Sequence, residues 1–577
     1  MCRLLLSISF FSIVVIGVLK AQVSLVPANH QVYDWLHMQR VGGNLRYFSF
    51  ESLPLSRGEI SKLLNSLDKT QMNAIDQSQL NSYLFEFSMD SLKSVAGNTL
   101  LKGRSEKIIE TWDQKWQLLK SSIEPHAYVH HDTLSTINVD YYYGSGIVND
   151  RDLSRSTIYN FDGIRTYGTF FNRIGIYLEP VLVHRLNEMS SVQDIDYWGS
   201  SNGALENDNR SIYFEGMASL RYRKLSLDIG RGNLKYGVGN EESMIFRLKA
   251  PNFSWVRLKY SSKYFNYTFL HGSLDGTSGL LADTLNSQQA GSATLRWLSM
   301  RRFEIRPFKW INLGFTEVLS YSNRGIELAY INPIYPLRVS EFNRQDLDNP
   351  VWYLEGVIWP FAGIEMYATL GIDDLSSFSD VFHTPGNRSN ESAVLLYQAG
   401  IQLAPKGKFH LNFEYVRIDP FFYTHKFHNN TFINSLKHEI PLAREIGPNS
   451  DQLYLMLRKW LPKRGWVKAD FASVRKGLNP IDQFGAVTLN AGGDIGLGRN
   501  DGTTIVRFLS GDLHKYYTVG IEGYIEPWRG VGVSLNYRKR WVTQGSRMKN
   551  DTEFGARLLI TFYPLTKILN PLFPKSI

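Results

Sequence analysis

"SIYFEGMASLRYRKLSLDIGR", residues 211–231, decides the fold, because two side-chain classes alternate along it on both sides of a two-residue corner, Arg223-Lys224. One set is apolar: Ile212, Phe214, Ala218, Leu220, Tyr222, Leu225, Leu227 and Ile229. The other set is mostly polar: Tyr213, Glu215, Ser219, Arg221, Arg223, Ser226 and Asp228. Successive side chains of a strand point to opposite faces, so this alternation predicts a hairpin with an apolar face and a charged face.

The same period of two continues from about Glu124 to Tyr563. It is clear in "KFHLNFEYVRI" from Lys408, in "GVSLNYRKRW" from Gly532 and in "TEFGARLLITF" from Thr552. Each stretch predicts a half-buried strand. The glycine-rich "AGGDIGLGRNDGTT" leaves the strand register between 480 and 515 unassigned.

Tight and long connections take turns between these strands. Tight corners are expected near Asn172-Arg173, Arg223-Lys224, Ser261-Lys263, Pro307, Pro360-Gly363, Pro405-Lys408, Pro462-Gly465 and Pro527-Gly530. Long polar segments are expected at 185–208, 237–251, 272–290, 321–349, 373–393, 418–450 and 542–550. Short periplasmic turns and long extracellular loops are typical of outer-membrane barrels. We therefore predict a mainly β protein, an antiparallel outer-membrane barrel of about 18 strands over residues 124–577. A soluble exported sandwich or propeller is the alternative.

The residues before the barrel have a different pattern. Residues 1–21 have the charged start, apolar run and small residue of a secretory signal peptide, and they contain Cys2, the sole cysteine. Residues 22–123 have helical spacing and predict a helical region. Within it, Ser56 and Glu59 form a capping-box pattern, and a further helix is expected around Ile108–Leu119.

In a barrel the apolar face meets lipid and the charged face lines the lumen. The lumen candidates are Glu215, Arg221, Arg223, Arg231, Asn536, Arg538 and Arg540. They could form a substrate path or a network that closes the pore. The formal charge of +9 falls to about +7 without Arg3 and Lys20, an excess that suits acidic glycans or lipid headgroups. No basic run indicates nucleic acid.

The histidines and carboxylates form no recognisable catalytic motif. They include His126, His130 and His131, the pair Asp512 and His514, and the pair Asp373-Asp374. We expect no catalytic residues, no cofactor and no metal site. Glycan binding requires only aromatic faces and fixed polar groups. The loop candidates for it are Asp194, Tyr197, Trp198, Tyr423 and His425. The aromatic girdle at the membrane interface is the expected place of Phe421 and Phe422, and it is an equal alternative for Trp198.

The order of these elements resembles the capsule assembly protein Wzi family of bacterial outer membranes. The resemblance is carried by "YDWLHMQRVGG", "SLPLSRGEISKLL", "GRGNLKYGVGNEESMIFRLKAPN", "NLGFTEVLSYSNRGIELAYINPIYP", "DNPVWYLEG" and "MYATLGIDDL". The family often has Trp-Gly-Pro-Gly where this chain has Tyr236-Gly237-Val238-Gly239.

The resemblance implies a periplasmic helical region, an 18-stranded barrel, and retention of capsular polysaccharide or exopolysaccharide at the cell surface without catalysis. The expected partners are that polysaccharide, outer-membrane lipid and periplasmic polysaccharide export components. The alternative is a transport channel or porin, followed by an outer-membrane lipase or protease. No binding residue is carried over from the family.

Overall fold

The computed structural model describes fourteen segments of the chain. They are residues 22–45, 48–88, 128–131, 134–149, 156–186, 210–239, 242–275, 294–344, 347–375, 393–435, 440–497, 506–528, 530–544 and 547–560. The expected signal peptide and the helix expected around Ile108–Leu119 lie outside these residues. No helix among the described residues is long and apolar enough to cross a membrane.

Three helices form at the start of the chain: α1 (Val32–Val41), α2 (Arg57–Asn65) and α3 (Ala74–Ser88). The capping box of α2 is confirmed, because Ser56 accepts from the amide of Glu59 at 3.3 Å and the Glu59 carboxylate accepts from the amide of Ser56 at 2.9 Å. Two short helices, α4 (Leu328–Ile331) and α5 (Leu337–Phe342), lie much later, between two strands.

The strands are β1 (Ser52–Leu53), β2 (Tyr128–His131), β3 (Thr136–Asn149), β4 (Ser156–Phe170), β5 (Ile174–Arg185), β6 (Arg210–Tyr222), β7 (Leu225–Gly232), β8 (Lys235–Tyr236), β9 (Phe253–Ser261), β10 (Phe265–Leu274), β11 (Arg296–Phe308), β12 (Ile311–Ser322), β13 (Asn349–Phe361), β14 (Ile364–Leu375), β15 (Ala393–Leu403), β16 (His410–Ile418), β17 (Ile433–Ser435), β18 (Ile440–Pro441), β19 (Ser450–Trp460), β20 (Trp466–Leu478), β21 (Asp512–Trp528), β22 (Val531–Gln544) and β23 (Arg547–Ile560). Eighteen of these strands close an antiparallel barrel, as predicted. They are β3–β7, β9–β16 and β19–β23.

The two faces of the opening hairpin take the predicted sides. Along β6 and β7 the apolar set, including Leu220 and Ile229, is exposed on the outer surface, while Glu215 and Asp228 are buried inside. The same alternation continues around the barrel and gives it an apolar exterior. A closed barrel with such an exterior satisfies the backbone within the wall, as lipid requires. The protein is therefore a barrel of the bacterial outer membrane.

The eight tight corners predicted from the sequence are all present, and they lie at one end of the barrel. In outer-membrane barrels this end is periplasmic. The long connection predicted at 542–550 is wrong. There β22 runs to Gln544, β23 begins at Arg547, and these two residues pair with each other. Thr543 and Gln544 belong to β22, and Lys549 and Asn550 belong to β23.

The barrel closes along one edge of β3, which two strands share. β23 pairs with the upper part of that edge, from Val148 to Tyr143, over six residue pairs. β2 pairs with the lower part, from Val139 to Thr136. Both run antiparallel to β3, so β2 continues the line of β23 toward the periplasmic end.

Candidate functional site

The described N-terminal residues enter the periplasmic end of the barrel and fill part of its lumen. β1 forms a two-stranded sheet with β8, which belongs to the connection between β7 and β9. Next to β1, Ser49 and Ser52 donate hydrogen bonds to the carboxylate of Glu304 on β11, at 2.7 and 3.1 Å. Glu304 is itself paired with Arg302 at 3.3 Å. A segment from the start of the chain is thus bonded to the inner wall.

A second cluster joins α1 to β14. The Arg40 guanidinium donates to both oxygens of Glu365, at 3.0 Å each, and pairs with Glu51 at 2.8 Å. His37 Nε2 lies 3.0 Å from the same carboxylate. Burial lowers the pKa of His37, although Glu365 opposes that effect. Burial would also lower the pKa of Arg40, but the two carboxylates outweigh it and raise that pKa.

The helices also contact the tight turns at the periplasmic end. The amide of Gly363 donates to the carbonyl of Val41 at 2.8 Å, and Gln79 donates to the carbonyl of Gly465 at 3.0 Å. Glu86 accepts from Arg464 at 2.8 Å. The described helical region therefore covers the turn end of the barrel as well as entering it.

From the other end, the connection between β16 and β19 folds into the lumen. Tyr423 donates its hydroxyl to the carbonyl of Met244 at 2.7 Å, and its amide donates to Asp373 at 2.6 Å. Tyr423 and Phe422 are fully buried, and Phe421 is nearly so. Tyr423 and Phe422 pack on the connection between β7 and β9 within one apolar cluster, whereas the Phe421 amide donates to the carbonyl of Gly492. Phe421 and Phe422 thus do not join the interfacial girdle, and Tyr423 is a buried packing residue, not an exposed aromatic face.

A cavity of about 420 Å³ remains on the opposite side of the lumen. Its wall comes mainly from β3–β6 and β20–β23, and the helical region forms its lower end. Several tyrosines contribute to it, among them Tyr159, Tyr167, Tyr177, Tyr213 and Tyr524.

Charged groups stand among these rings. Arg165 pairs with Glu179 at 2.7 Å, and Tyr142 donates to the same carboxylate at 2.9 Å. Glu215 also lines the cavity, and its buried Oε1 has no hydrogen-bond partner among the described residues. Such a mixture of aromatic rings and fixed polar groups suits a polar ligand with hydroxyl groups.

The seven lumen candidates divide into three groups. Glu215, Asn536 and Arg538 line the cavity, and Arg540 follows them on the inward face of β22. Arg221 faces inward too, but it holds α2, donating to Ser56 at 2.7 Å and pairing with Glu59 at 2.8 Å.

The other two candidates are not in the lumen. Arg223 is exposed in the tight turn after β6, where it lies over the ring of Tyr222. Arg231 lies on the outer face of β7, the same face as Leu227 and Ile229. Its cross-strand neighbour is Ser254 of β9, whose side chain is exposed on that face. The alternation from Leu225 onward would have assigned Arg231 outward.

The remaining glycan candidates have different standings. Asp194, Tyr197 and Trp198 lie outside the described residues. His425 is half-buried beside the inward-folded segment, where its Nδ1 accepts from the amide of Phe427 at 3.1 Å.

Sequence reasoning missed the acidic anchors Glu304 and Glu365. Both occupy polar positions in the alternation of predicted strands. This pattern indicates that their side chains face the lumen, but it does not identify the residues they bind.

Those residues considered for catalysis that the structure describes form no assembled reactive site. Asp512 and His514 share the inward face of β21, and the recorded hydrogen bond of His514 is with the Tyr516 hydroxyl, at 3.4 Å. Asp373 anchors the amide of Tyr423. Within the described segments, no group of three or more histidine, cysteine or acidic side chains could hold a metal ion.

No protein-family model and no curated protein matches the sequence. Solved structures do match. One is Wzi of Escherichia coli, described as an outer-membrane protein involved in group 1 capsule assembly and as a carbohydrate-binding β-barrel. The TM-score is 0.55 and the identity 11%, over 93% of this chain and 99% of that one. OprD of Pseudomonas aeruginosa matches with a TM-score of 0.40 and 10% identity, over 73% of this chain and 94% of that one. OccK5 of the same organism matches with a TM-score of 0.41 and 8% identity, over 74% of this chain and 98% of that one. This chain therefore shares the barrel fold of Wzi over nearly its whole length.

Proposed function

We propose that this protein attaches capsular polysaccharide or exopolysaccharide to the cell surface, or helps to assemble it there, without catalysing a reaction. The observation that carries the proposal is the occupied lumen. Segments from both ends of the barrel meet inside it, and buried ion pairs such as Arg40 with Glu365 hold them to the wall. A wide diffusion path would not need these contacts, whereas a binding protein benefits from a rigid, pre-formed cavity.

Two further observations support the polysaccharide as ligand. The motif order resembles the Wzi family, and the protein that shares this fold is described as carbohydrate binding. The cavity beside Glu215 offers tyrosine rings together with charged groups, which suits stacking and hydrogen bonding to sugar rings. The loop residues Trp198 and His425 remain additional candidates.

The test is a gene deletion followed by measurement of cell-bound and released polysaccharide. We expect unchanged total polymer with a larger released fraction. Re-expression of the intact protein should restore the bound fraction. Trp198→Ala would test the loop candidates, and Glu215→Gln would test the cavity with little change of shape. Polymer that accumulates inside the cell, or an unchanged partition, would contradict the attachment role.

A transport channel is the competing function, and planar-bilayer conductance separates the two. We expect no large stepwise openings from the purified intact protein, because the helical region and the inward-folded loops occupy the pore. Regular openings at low voltage would favour the channel.

A further inference from the structure

The outer face between β10 and β13 carries polar side chains where lipid-facing residues are expected. Ser299 and Arg301 on β11 and Glu317 on β12 alternate with the inward Arg302 and Thr316, so they point away from the lumen. All three are nonetheless buried. An exposed arginine or glutamate on this face would be costly in a membrane. A further segment of the chain covers them.

That segment is the connection between β12 and β13, described at residues 323–344 and 347–348, which we name the outer strap. Ser299 donates to the carbonyl of Tyr330 at 2.7 Å, and Arg301 reaches the same carbonyl at 3.5 Å and also donates to that of Asn332. Glu317 accepts from the amide of Leu337 at 3.2 Å. The outer strap therefore folds back over the outside of the barrel and not over its mouth.

The outer strap reaches far below the extracellular rim. Its two ends join β12 and β13 at that rim, yet the carbonyl of Pro333 accepts from the hydroxyl of Tyr267. Tyr267 is the third residue of β10 after the periplasmic turn. Irregular backbone at this depth can persist in a membrane only if its polar groups are satisfied by protein. The buried polar side chains of the wall supply those bonds.

The surface that the outer strap presents outward is mainly apolar, although Asn332 and Asn343 are exposed on it. Leu328 is 78% exposed and Ile334 is 86% exposed. Ile326, Tyr335, Val339, Phe342 and Leu347 are exposed on the same segment. This surface continues the apolar belt of the wall, where Phe303, Ile305 and Leu313 are exposed.

Charged side chains of the outer strap pair with one another near its two ends and, for Arg338 with Glu341 at 3.3 Å, within α5. Arg324 donates to Glu327 at 2.9 Å and also pairs with Asp348, and Arg344 pairs with Glu327 at 2.6 Å. Residues 324 and 348 adjoin the extracellular ends of β12 and β13. This arrangement suits a segment with its base among lipid headgroups and its tip among acyl chains.

We infer that the outer strap is a membrane-inserted part of an extracellular connection, and that its exposed apolar side chains bind lipid acyl chains. The continuous apolar surface favours lipid as the occupant over a second copy of the chain. This inference does not depend on the polysaccharide proposal, since it concerns the outside of the barrel.

A nitroxide label on a single cysteine tests the location of the tip. In the full-length protein with Cys2→Ser, the label is placed by Ile334→Cys, and the protein is reconstituted in phosphatidylcholine vesicles. Phe484→Cys is the matched control, because Phe484 is 84% exposed in the connection between β20 and β21. Ile305→Cys is the lipid-facing reference. Collision rates with oxygen, which concentrates in lipid, and with a water-soluble nickel chelate are then compared.

We expect the label at 334 to resemble the label at 305, with oxygen collisions favoured several-fold relative to the label at 484. A label at 334 that matches the one at 484 would overturn the inference. Dipolar broadening between labels at 334 would also overturn it, because a second copy would then cover the outer strap.

A second variant, Arg301→Met, tests the anchor. It keeps the length of the side chain and removes the donors to Tyr330 and Asn332. We expect the label at 334 to move toward the accessibility of the label at 484 while the barrel remains closed. An unchanged label would contradict the assignment of Arg301 as the anchor of the outer strap.

Discussion

The strands on the two sides of the lumen have the same alternation of side chains, but their inward residues differ in burial. On β11 all six inward residues are buried: Arg296, Leu298, Met300, Arg302, Glu304 and Arg306. On β22 the inward Ser534, Asn536, Arg538 and Arg540 are only half-buried. We call these the filled side and the hollow side. The comparison teaches that the strand period determines which residues face inward, whereas segments distant in the sequence determine whether those residues are fully buried or remain partly exposed in the cavity.

The largest difference in stability between the filled side and the hollow side is expected when one carboxylate is substituted on each. Glu365→Gln on the filled side weakens a buried cluster with Arg40 and His37, and loss of one partner of a buried ion pair costs about 3–5 kcal/mol. Asp470→Asn changes a half-buried carboxylate that lines the cavity, and we expect less than about 0.5 kcal/mol. Urea titration followed by protease cleavage of the helical region measures both. Equal losses would contradict the division into two sides.

A smaller effect is expected where the helices contact a turn. Gly407 has a φ of +67°, and a Cβ there would lie 2.0 Å from the Asp76 carboxylate of α3. We expect Gly407→Ala to weaken docking of the helices by about 2 kcal/mol, from overpacking together with backbone strain. Gly485→Ala is the matched control, since its φ is +83° with no atom within 4 Å, and only about 1 kcal/mol is expected. Hydrogen exchange of α3 would report the difference.

The smallest effect is a pH dependence confined to the helical region. Burial would raise the pKa of Glu86, but His30 and Arg464 outweigh it and hold that pKa below the usual 4.5. The contribution of the Glu86 carboxylate to helix docking is therefore present above pH 4.5 and is lost as pH falls below that value. The lowered pKa of His37 acts in the same direction below pH 6.5. Asp76, whose pKa burial raises from 3.8 to about 6, opposes both, because its contribution is lost as pH rises through 6.

We therefore expect the docking of α1 and α3 to weaken by about 1 kcal/mol or more as pH falls below 4.5, while β22 keeps its protection. Hydrogen exchange at pH 7 and pH 4 measures this change. Glu86→Gln should flatten the response below pH 4.5. A response that is equal in α1 and β22 would show that acid acts on the whole barrel and not on the docked helices.

The strands could be predicted from the sequence because a barrel wall imposes a strictly local pattern. Lipid on one side and protein or water on the other produce the period of two, and the corners around Asn172 and Gly363 follow from short turns. The same rule explains the error at Arg231, where the residue type suggested the lumen although its position in the alternation indicated the outside.

The site was only partly accessible to that reasoning. Glu215 could be assigned inward from its neighbours alone. The burial of Tyr423 could not, because it depends on Met244, which lies 179 positions away in the sequence. The same is true of Arg40, whose partner Glu365 is 325 positions away. Contacts between residues so far apart produce no periodic pattern in the sequence. The filling of the lumen could therefore be seen only in the structure.

The shared edge of β3 has a consequence for the order of assembly. β3 and β4 can pair early, because they are neighbours in the sequence, and β2 can protect the lower edge of β3 as soon as its hairpin forms. The upper edge must wait for β23, the last strand of the barrel to be synthesised, and that strand then adds only six residue pairs. The upper edge of β3 therefore stays unpaired until synthesis of the chain is nearly finished, while β2 already covers the lower edge.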